Sequence, residues 1–291
     1  MNRKSLVLAL GVALLACLPL SAQTSYNFVD VNYPGDTFTQ FLGINKGGIV
    51  AGYHGAAINQ GFTYNTATKA FTNENFPGSA QTQVTGINHD RQTVGFYIDG
   101  ALNTHGFIES HGKFSTADEP GTPFNQLLGL SDNGQAAGYY STTADGAAPD
   151  HAYVLDERGK VYANFIIPGS TFAQATGVNN DGTVCGFTID SKNVNHGWLL
   201  SLGTLKILDY PGSMGTQALG LNDQNQVVGT YTDTTGSHGF VYNTYTKVWQ
   251  SIDDPNGVGT TVVNGISPKG VLVGFWGTAP LNTAFVATPK Y

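Results

Sequence analysis

From residue 26 onward, apolar residues come in short runs separated by clusters of Gly, Asn, Asp, Ser and Pro. Runs such as Val50-Ala51-Gly52-Tyr53 are rich in β-branched and aromatic residues, a composition typical of β-strands. A helical period of 3.6 residues does not occur after residue 22. The pattern therefore predicts an all-β protein made of many short strands.

One phrase of the pattern occurs six times. It is a glycine, an aliphatic residue and an Asn or Ser, at Gly43-Ile44-Asn45, Gly86-Ile87-Asn88, Gly129-Leu130-Ser131, Gly177-Val178-Asn179, Gly220-Leu221-Asn222 and Gly265-Ile266-Ser267. The intervals are 43, 43, 48, 43 and 45 residues. A repeat of this length is typical of one four-stranded blade of a β-propeller.

Three further signals accompany each copy. A second glycine follows nine residues after the first, with turn formers such as Asn180-Asp181-Gly182 between them, which predicts a tight hairpin. A strand opening with His-Gly-Phe or a variant follows, as at His105-Gly106-Phe107. The last strand of five copies ends in Pro-Gly, as at Pro77-Gly78, which suits a type II turn. Each copy thus contains four strands, here called a, b, c and d.

The two ends of the repeat region are complementary. The chain opens with a lone d-type strand, Tyr26 to Asp30, and ends with a c-type strand at Thr283 to Val286. If the first strand completes the last copy, the result is a closed six-bladed β-propeller of four-stranded blades without an open sheet edge. An open β-solenoid is the rival fold, but it would not need this permutation.

The first 22 residues differ from the rest. Arg3 and Lys4 precede an apolar run that Pro19 ends, and Ser21-Ala22 offers a cleavage site, so residues 1-22 are predicted to be a signal peptide and 23-291 a single propeller domain. A lipid anchor at Cys17 is the alternative. The run is too short to span a membrane comfortably, and no transmembrane segment is expected elsewhere. The predicted location is secreted, extracellular or periplasmic in a bacterium.

The His-Gly-aromatic strand combined with the Gly-Ile-Asn hairpin resembles the bacterial extracellular HAF-repeat family. The resemblance covers nearly all of residues 26 to 288 and weakens where the histidine is absent, at Gln60-Gly61-Phe62 and Thr283-Ala284-Phe285. It implies a secreted, repeat-built protein whose biochemical role is largely uncharacterised. No catalytic residue can be transferred from it.

Charge narrows the possible functions. Only 11% of the 291 residues are charged, against roughly 25% in typical domains. Loss of Arg3 and Lys4 with the signal would leave 11 basic and 20 acidic residues. Nucleic acid is therefore not an expected partner, because its binding needs clustered Lys and Arg. The weakly charged composition suggests neutral ligands. The mature chain would keep only Cys185, which is expected to fill a small apolar slot.

The innermost strands would line the central channel, and none of them contains Asp, Glu, His, Lys or Arg. This argues against a metal, a cofactor or catalytic residues in the channel. Five of these strands carry a glutamine three residues before the first glycine. These candidate ligand-binding residues are Gln40, Gln83, Gln126, Gln174 and Gln217. The glutamines could instead tie each strand to a neighbouring blade.

Aromatic residues near the b–c loops are the second set of candidates. Carbohydrate sites combine aromatic faces with amide side chains, and the candidates here are Tyr97, Tyr140, Tyr231 and Trp276. They could also simply fill space between blades. The recurring histidines at 105, 151, 196 and 238 lie too far apart to share a metal. Each is expected to form a hydrogen bond with a nearby Asp, Ser or backbone carbonyl, and the candidate partners are Asp99, Asp190 and Asp233.

The sequence as a whole predicts a binding or scaffold protein, a monomer that recognises carbohydrate or another cell-envelope component through its loops. An extracellular polysaccharide lyase or hydrolase is the alternative. It would use residues of the longest b–c loop, Ser141 to Asp150, which carries Asp145 and Asp150. The pattern favours the non-catalytic function, because no acid–base pair is evident.

Overall fold

The computed structural model describes residues 24–147, 149–156, 160–165, 167–170 and 172–290. Within these ranges the strands form six four-stranded antiparallel blades. The predicted signal peptide and Cys17 lie outside the described residues.

Each blade contributes one strand to each of four positions, from the axis outward. The innermost strands are β2 (Thr39–Ile44), β6 (Gln81–Ile87), β10 (Phe124–Leu130), β14 (Ala173–Val178), β18 (Gly215–Leu221) and β22 (Thr261–Ile266). The second strands are β3 (Ile49–His54), β7 (Thr93–Ile98), β11 (Ala136–Ser141), β15 (Val184–Ile189), β19 (Gln226–Asp233) and β23 (Leu272–Thr278). The third strands are β4 (Gln60–Asn65), β8 (Thr104–Ser110), β12 (Asp150–Leu155), β16 (Asn195–Ser201), β20 (Gly236–Asn243) and β24 (Leu281–Pro289). The outermost strands are β5 (Ala70–Asn73), β9 (Lys113–Thr116), β13 (Val161–Phe165), β17 (Thr204–Leu208), β21 (Val248–Ile252) and β1 (Tyr26–Val31).

The predicted closure of the ring is confirmed. β1 pairs antiparallel with β24, from Tyr26 opposite Pro289 to Val31 opposite Ala284, and completes blade 6. Phe28 packs edge-on against Phe285 at 5.3 Å between ring centroids. Blades 1 to 5 follow in chain order, so blades 6 and 1 are neighbours that meet through chain segments more than 200 residues apart.

The apolar core is divided among the blade interfaces. The described buried residues form six clusters, and each cluster takes its members from two adjacent blades. Between blades 6 and 1, for example, Phe41 and Phe62 pack against Val273. Cys185 is fully buried in such an interface, and burial raises the pKa of its thiol to about 12, as expected for an inert apolar slot.

The two glycines of the repeat are explained by close approach. At the first, adjacent innermost strands come so near the axis that a Cβ on Gly129 would lie 2.7 Å from the Cα of Gly177. At the second, a Cβ would strike the paired innermost strand: on Gly229 it would lie 1.9 Å from the carbonyl oxygen of Gln217 and 2.8 Å from the Phe240 ring. Any larger residue would separate strands or blades.

The Asn of the phrase connects blades. Asn45 Nδ2 donates to the carbonyl of Asn88 in the next blade at 2.9 Å, and its Oδ1 accepts from the amides of Gly47 and Ile49 in its own hairpin. Asn222 makes the same bond to Ser267 at 3.0 Å. The Asn of the repeated phrase therefore stabilises its own hairpin and also bonds the next blade.

Two faces of the ring follow from this topology. The a–b and c–d turns lie on one face, here called the hairpin face. The b–c loops and the Pro-Gly crossings lie on the other, here called the loop face.

Removal of residues 26–33 should open the ring. The deletion exposes the edge of β24 and removes the Phe28–Phe285 contact, so we expect a stability loss of about 3 kcal/mol or more, with aggregation. Denaturant unfolding and light scattering would measure this. A chain that lacks only the residues before 24 is the control, and an equally stable monomer after deletion of 26–33 would contradict closure by β1.

Gly229→Ala should destabilise the protein by about 2–4 kcal/mol, because the methyl group cannot fit between Gln217 and Phe240. Gly100→Ala is the matched control, since nothing lies within 4 Å of a Cβ there. Thermal unfolding of both variants would test the explanation, and it is wrong if the two melt alike.

Candidate functional site

The central channel is too narrow for a sugar-sized ligand. Its middle section is a cavity of about 70 Å³ lined by the innermost strands, among them Leu42, Thr85 and Asn264. A second cavity of about 60 Å³ lies toward the hairpin face. Such volumes hold a few water molecules at most. Among the described residues, no three or more His, Cys, Asp or Glu side chains are grouped to hold a metal ion.

Charge is unequally divided between the two faces. Among the described residues, the loop face carries twelve carboxylates and one basic residue, Lys192. The carboxylates are Asp30, Asp36, Asp99, Asp118, Glu119, Asp145, Asp150, Asp190, Asp209, Asp233, Asp253 and Asp254. Composition suggested a weakly charged surface. The structure instead has a strongly anionic loop face, and the hairpin face on the opposite side carries most of the lysines.

Many of these carboxylates hold the recurring histidines. His105 lies between Asp118, 2.7 Å from Nδ1, and Asp99, 3.4 Å from Nε2. His196 has Asp209 and Asp190 at 3.0 and 3.6 Å, and His238 has Asp253 and Asp233 at 3.0 and 3.3 Å. The hydrogen bond with Asp209 raises the pKa of His196.

The expected partners Asp99, Asp190 and Asp233 are therefore present, but the closer partner lies at the end of strand d. Asp118 also accepts from the amide of Gly106 on β8, because the end of the outermost strand lies beside the start of the third strand.

The five glutamines lie at the loop-face end of the innermost strands, and each has a neighbour. Gln40 accepts from the Tyr53 hydroxyl at 2.7 Å, and Gln126 accepts from Tyr139 at 2.8 Å. The other three bond residues at or just before the start of the third strand of the preceding blade, and these pairs are Gln83 with Asn59, Gln174 with Asp150 and Gln217 with Asn195. All five side chains stay partly exposed. They tie strands and blades together, and part of each amide still faces outward.

Two of the four candidate aromatic residues are enclosed. Tyr97 and Tyr231 are 8% and 7% exposed, because each ring is stacked at 3.7 Å on the aromatic residue before a turn proline, Phe76 or Tyr210. Tyr140 and Trp276 are half-buried. The Trp276 indole donates to Asp30 at 3.0 Å and covers Gly257. Any stacking on a ligand is left mainly to Tyr140 and Trp276.

Blade 3 departs from its neighbours at the outer part of the loop face. Glu119 occupies the position before the turn proline that Phe76 and Tyr210 fill in other blades. Burial raises the pKa of Tyr140, and the negative charge of Glu119 raises it further. Glu119 Oε2 and the hydroxyl of Tyr153 are buried without a hydrogen-bond partner among the described residues. Burial, with the charges of Asp118 and Glu119, raises the pKa of Tyr153 well above its usual range.

Blade 3 also differs nearer the axis. Asp150 occupies the position that is Asn59, Thr104, Asn195 or Ser237 in other blades, and it is 4% exposed. One oxygen accepts from Gln174 Nε2 at 2.6 Å, and Oδ1 has no partner in the described part of the chain. Burial raises the pKa of Asp150 to about 6, against the lowering effect of the Gln174 bond. The longest b–c loop begins beside it and places Gly146 over the Phe124 ring.

Comparison of equivalent positions could have found these residues from the sequence. The residue before the turn proline is Tyr33, Phe76, Glu119, Ile167, Tyr210 or Asp254, so carboxylates break the pattern in two places. Asp254 is fully buried, and burial raises its pKa to about 6, with Asp30 adding a smaller increase. The sequence pattern indicated Asp150 only together with Asp145, as carboxylates of the longest b–c loop. Asp145 is exposed, and its carboxylate accepts from the amide of Ala147 in its own turn.

Comparison with known proteins supports the fold. No family model matches the chain, and no curated protein matches it. Among solved structures, a putative TolB from Agrobacterium tumefaciens is 11% identical, with a TM-score of 0.62, and the match covers 92% of this chain and 99% of that one. TolB from Acinetobacter baumannii is 12% identical with a TM-score of 0.57, over 74% of this chain and about half, 54%, of that one.

A fungal lectin from Aleuria aurantia, described as a six-bladed β-propeller, is 10% identical with a TM-score of 0.51, over 92% of this chain and 95% of the lectin. At such identities the likeness shows the fold alone. The chain is a six-bladed β-propeller that resembles TolB-like and lectin propellers, and the predicted HAF-repeat membership stays a prediction. No helix among the described residues is long and apolar enough to cross a membrane.

Replacement of Asp150 by Asn should stabilise the protein at neutral pH. A carboxyl whose folded pKa is raised stabilises the fold below its unfolded pKa, near 4, and that stability is lost as the pH rises through about 6. We expect the free energy of unfolding of Asp150→Asn to exceed that of the parent protein by about 1–3 kcal/mol at pH 8 and to equal it at pH 3.5.

Asp99→Asn is the control, for which the expected change in the free energy of unfolding at pH 8 has the opposite sign. Hydrogen bonds from Asn103 lower the pKa of Asp99, so its loss should destabilise the protein at pH 8 and have less effect at low pH. Denaturant unfolding across this pH range would measure both. The assignment is refuted if Asp150→Asn gains no stability at pH 8.

Proposed function

We propose that the protein is a secreted, HAF-repeat-type binding module that recognises a neutral carbohydrate of the cell envelope or surroundings through the loop face of blade 3. The observation that carries this proposal is Asp150, a buried carboxylate at the inner end of the loop face with one oxygen held by Gln174 and the other without a partner among the described residues. This oxygen is enclosed, so a ligand hydroxyl would reach it only after a displacement of the b–c loop, and donation to it would then remove the cost of an unpaired buried acceptor.

The groups around Asp150 suit a polyhydroxy ligand. Gln126, Gln174 and the Tyr139 hydroxyl join Asp150 in a single network of donors and acceptors at the blade 3–4 boundary. Amide side chains can both donate to and accept from sugar hydroxyls. On the other side of β11, Tyr140 provides a half-buried ring beside Glu119.

The charge of the loop face indicates which carbohydrates fit. Twelve carboxylates and one lysine among the described residues repel anionic polymers such as uronic-acid polysaccharides. The ligand is therefore expected to be a neutral or amino sugar. The Aleuria aurantia lectin, which has the same fold, recognises fucose, a neutral sugar.

The site should be tested with a glycan array, followed by calorimetry on the best ligand. Asp150→Asn keeps an acceptor for Gln174 but loses the charge, so affinity should fall about tenfold or more. Gln174→Ala should also weaken binding. Gln217→Ala, the equivalent change beside uncharged Asn195, should leave affinity within about twofold.

The pH dependence offers a second readout. Ligand affinity should decline as the pH falls below about 6, where Asp150 takes up a proton, and Asp150→Asn should bind with a flat profile. Since Asp150→Asn is expected to be more stable at pH 8, its loss of binding would not result from unfolding. The proposal fails if no neutral glycan binds, or if Gln217→Ala weakens binding as much as Gln174→Ala.

The alternative, a polysaccharide lyase or hydrolase, is distinguished by the same ligands. Catalysis would release new reducing ends from the polymer, and Asp145→Asn or Asp150→Asn would abolish the release. Binding without reducing-end release supports the non-catalytic function. Release that depends on both carboxylates would establish the enzyme instead.

A further inference from the structure

A groove of about 420 Å³ lies on the hairpin face where blades 6 and 1 meet. Its floor is mainly apolar and includes residues from both ends of the chain, Val29 and Val31 on β1 and Val286 on β24, together with Tyr64 on β4. Val29 is 54% exposed, unusual for a large aliphatic side chain, because it faces this groove from an outermost strand. The groove falls within the size range of small-molecule sites in proteins.

Three lysines surround the groove, and each belongs to a different turn. They are Lys46 and Lys69 of blade 1 and Lys269 of blade 6. Among the described residues, no Asp or Glu lines the groove. Asp30 lies between Val29 and Val31 in sequence, but its carboxylate points the other way and bonds Trp276 and Asn256 at the loop face.

Each of the three turns is held by its own side-chain bonds. Asn45 Oδ1 accepts from the amides that flank the Lys46 turn, and Ser267 Oγ accepts from the amides of Lys269 and Val271. Asn65 Oδ1 accepts from the amides of Ala67 and Thr68 in the Lys69 turn, and the amide of Lys69 donates to the carbonyl of Asn65 at 2.7 Å. The lysine backbones are therefore fixed around the groove before any ligand binds.

Two other grooves on the hairpin face differ from this one. The groove between blades 3 and 4, of about 460 Å³, is lined by Asp181 and, within the described part of the chain, by no lysine or arginine. The groove between blades 4 and 5 is smaller, about 300 Å³, and has Lys206 and Lys247. Three lysines above an apolar floor distinguish the closure groove from these two. Lys69 has a counterpart in Lys247, but Lys46 and Lys269 have no lysine at the equivalent positions of the other blades.

We propose that this closure groove binds a free single-chain amphiphile with an anionic head, such as an alkyl carboxylate. The alkyl chain lies along Val29, Val31 and Tyr64, and the head group is held by Lys46, Lys69 and Lys269. The site is on the face opposite the carbohydrate site, and it does not depend on that proposal.

Calorimetry with octanoate, decanoate and dodecanoate below their micelle concentrations tests the site. Burial of each added methylene should strengthen binding about two- to fourfold. Added salt should weaken it, since the lysines are exposed. Decyl maltoside has the same chain with a neutral head, and it should bind at least tenfold more weakly than decanoate.

The lysines are tested together in the variant Lys46→Gln, Lys69→Asn, Lys269→Gln. Asn is chosen at 69 because the backbone there has φ of +59°, which Asn tolerates better than Gln. Decanoate affinity should fall about tenfold or more. Val29→Glu should have a similar effect by placing a negative charge in the groove.

The matched control is Lys206→Gln, Lys247→Asn in the groove between blades 4 and 5, where Lys247 has the same φ of +59°. It should leave decanoate affinity within twofold, and all variants should melt near the parent temperature. The proposal is overturned if decanoate does not bind, if decyl maltoside binds equally well, or if the control lowers affinity as much as the triple variant. Anionic vesicles that bind while free decanoate does not would also overturn it, by assigning the lysines to a membrane surface.

Discussion

The structure depends on the close approach of neighbouring innermost strands at the first glycine of each repeat. A Cβ on Gly220 would lie 2.5 Å from the carbonyl of Asn264, and one on Gly265 would lie 2.7 Å from the carbonyl of Leu42. Six such contacts draw the blades to a common axis. Because each blade must fit between two neighbours, the closeness of this contact sets the width of the channel and the distance between the apolar faces that form the six core clusters.

This constraint leaves little room for function at the centre of the ring. Polar side chains of the innermost strands form hydrogen bonds with the backbone of the neighbouring innermost strand. These bonds run from Thr85 to the carbonyl of Leu127 at 2.7 Å, from Thr176 to Ala218 at 2.8 Å and from Asn264 to Phe41 at 3.0 Å. Charged groups are displaced to the two faces, where the loop face becomes anionic and the hairpin face carries most of the lysines. A ligand must therefore approach a face or a groove between blades.

The repeat also explains why most of its conspicuous side chains are structural. His105, His196 and His238 are held in the same way in three blades, and the stacked rings of Tyr97 and Tyr231 recur with them. A ligand site does not need such repetition. Asp150, Glu119, Lys46 and Lys269 depart from the residues at the equivalent positions of other blades.

The spacing of six short phrases was enough to predict the blades, and the unmatched strands at the two ends were enough to predict closure by β1. These features are local or periodic, so they can be read along the chain. The partners of the histidines, the burial of Tyr97 and Tyr231, the unpaired oxygen of Asp150 and the convergence of Lys46, Lys69 and Lys269 were decided only by the tertiary structure. Each depends on which strands from distant parts of the chain lie side by side, and on how much water the neighbouring blade excludes.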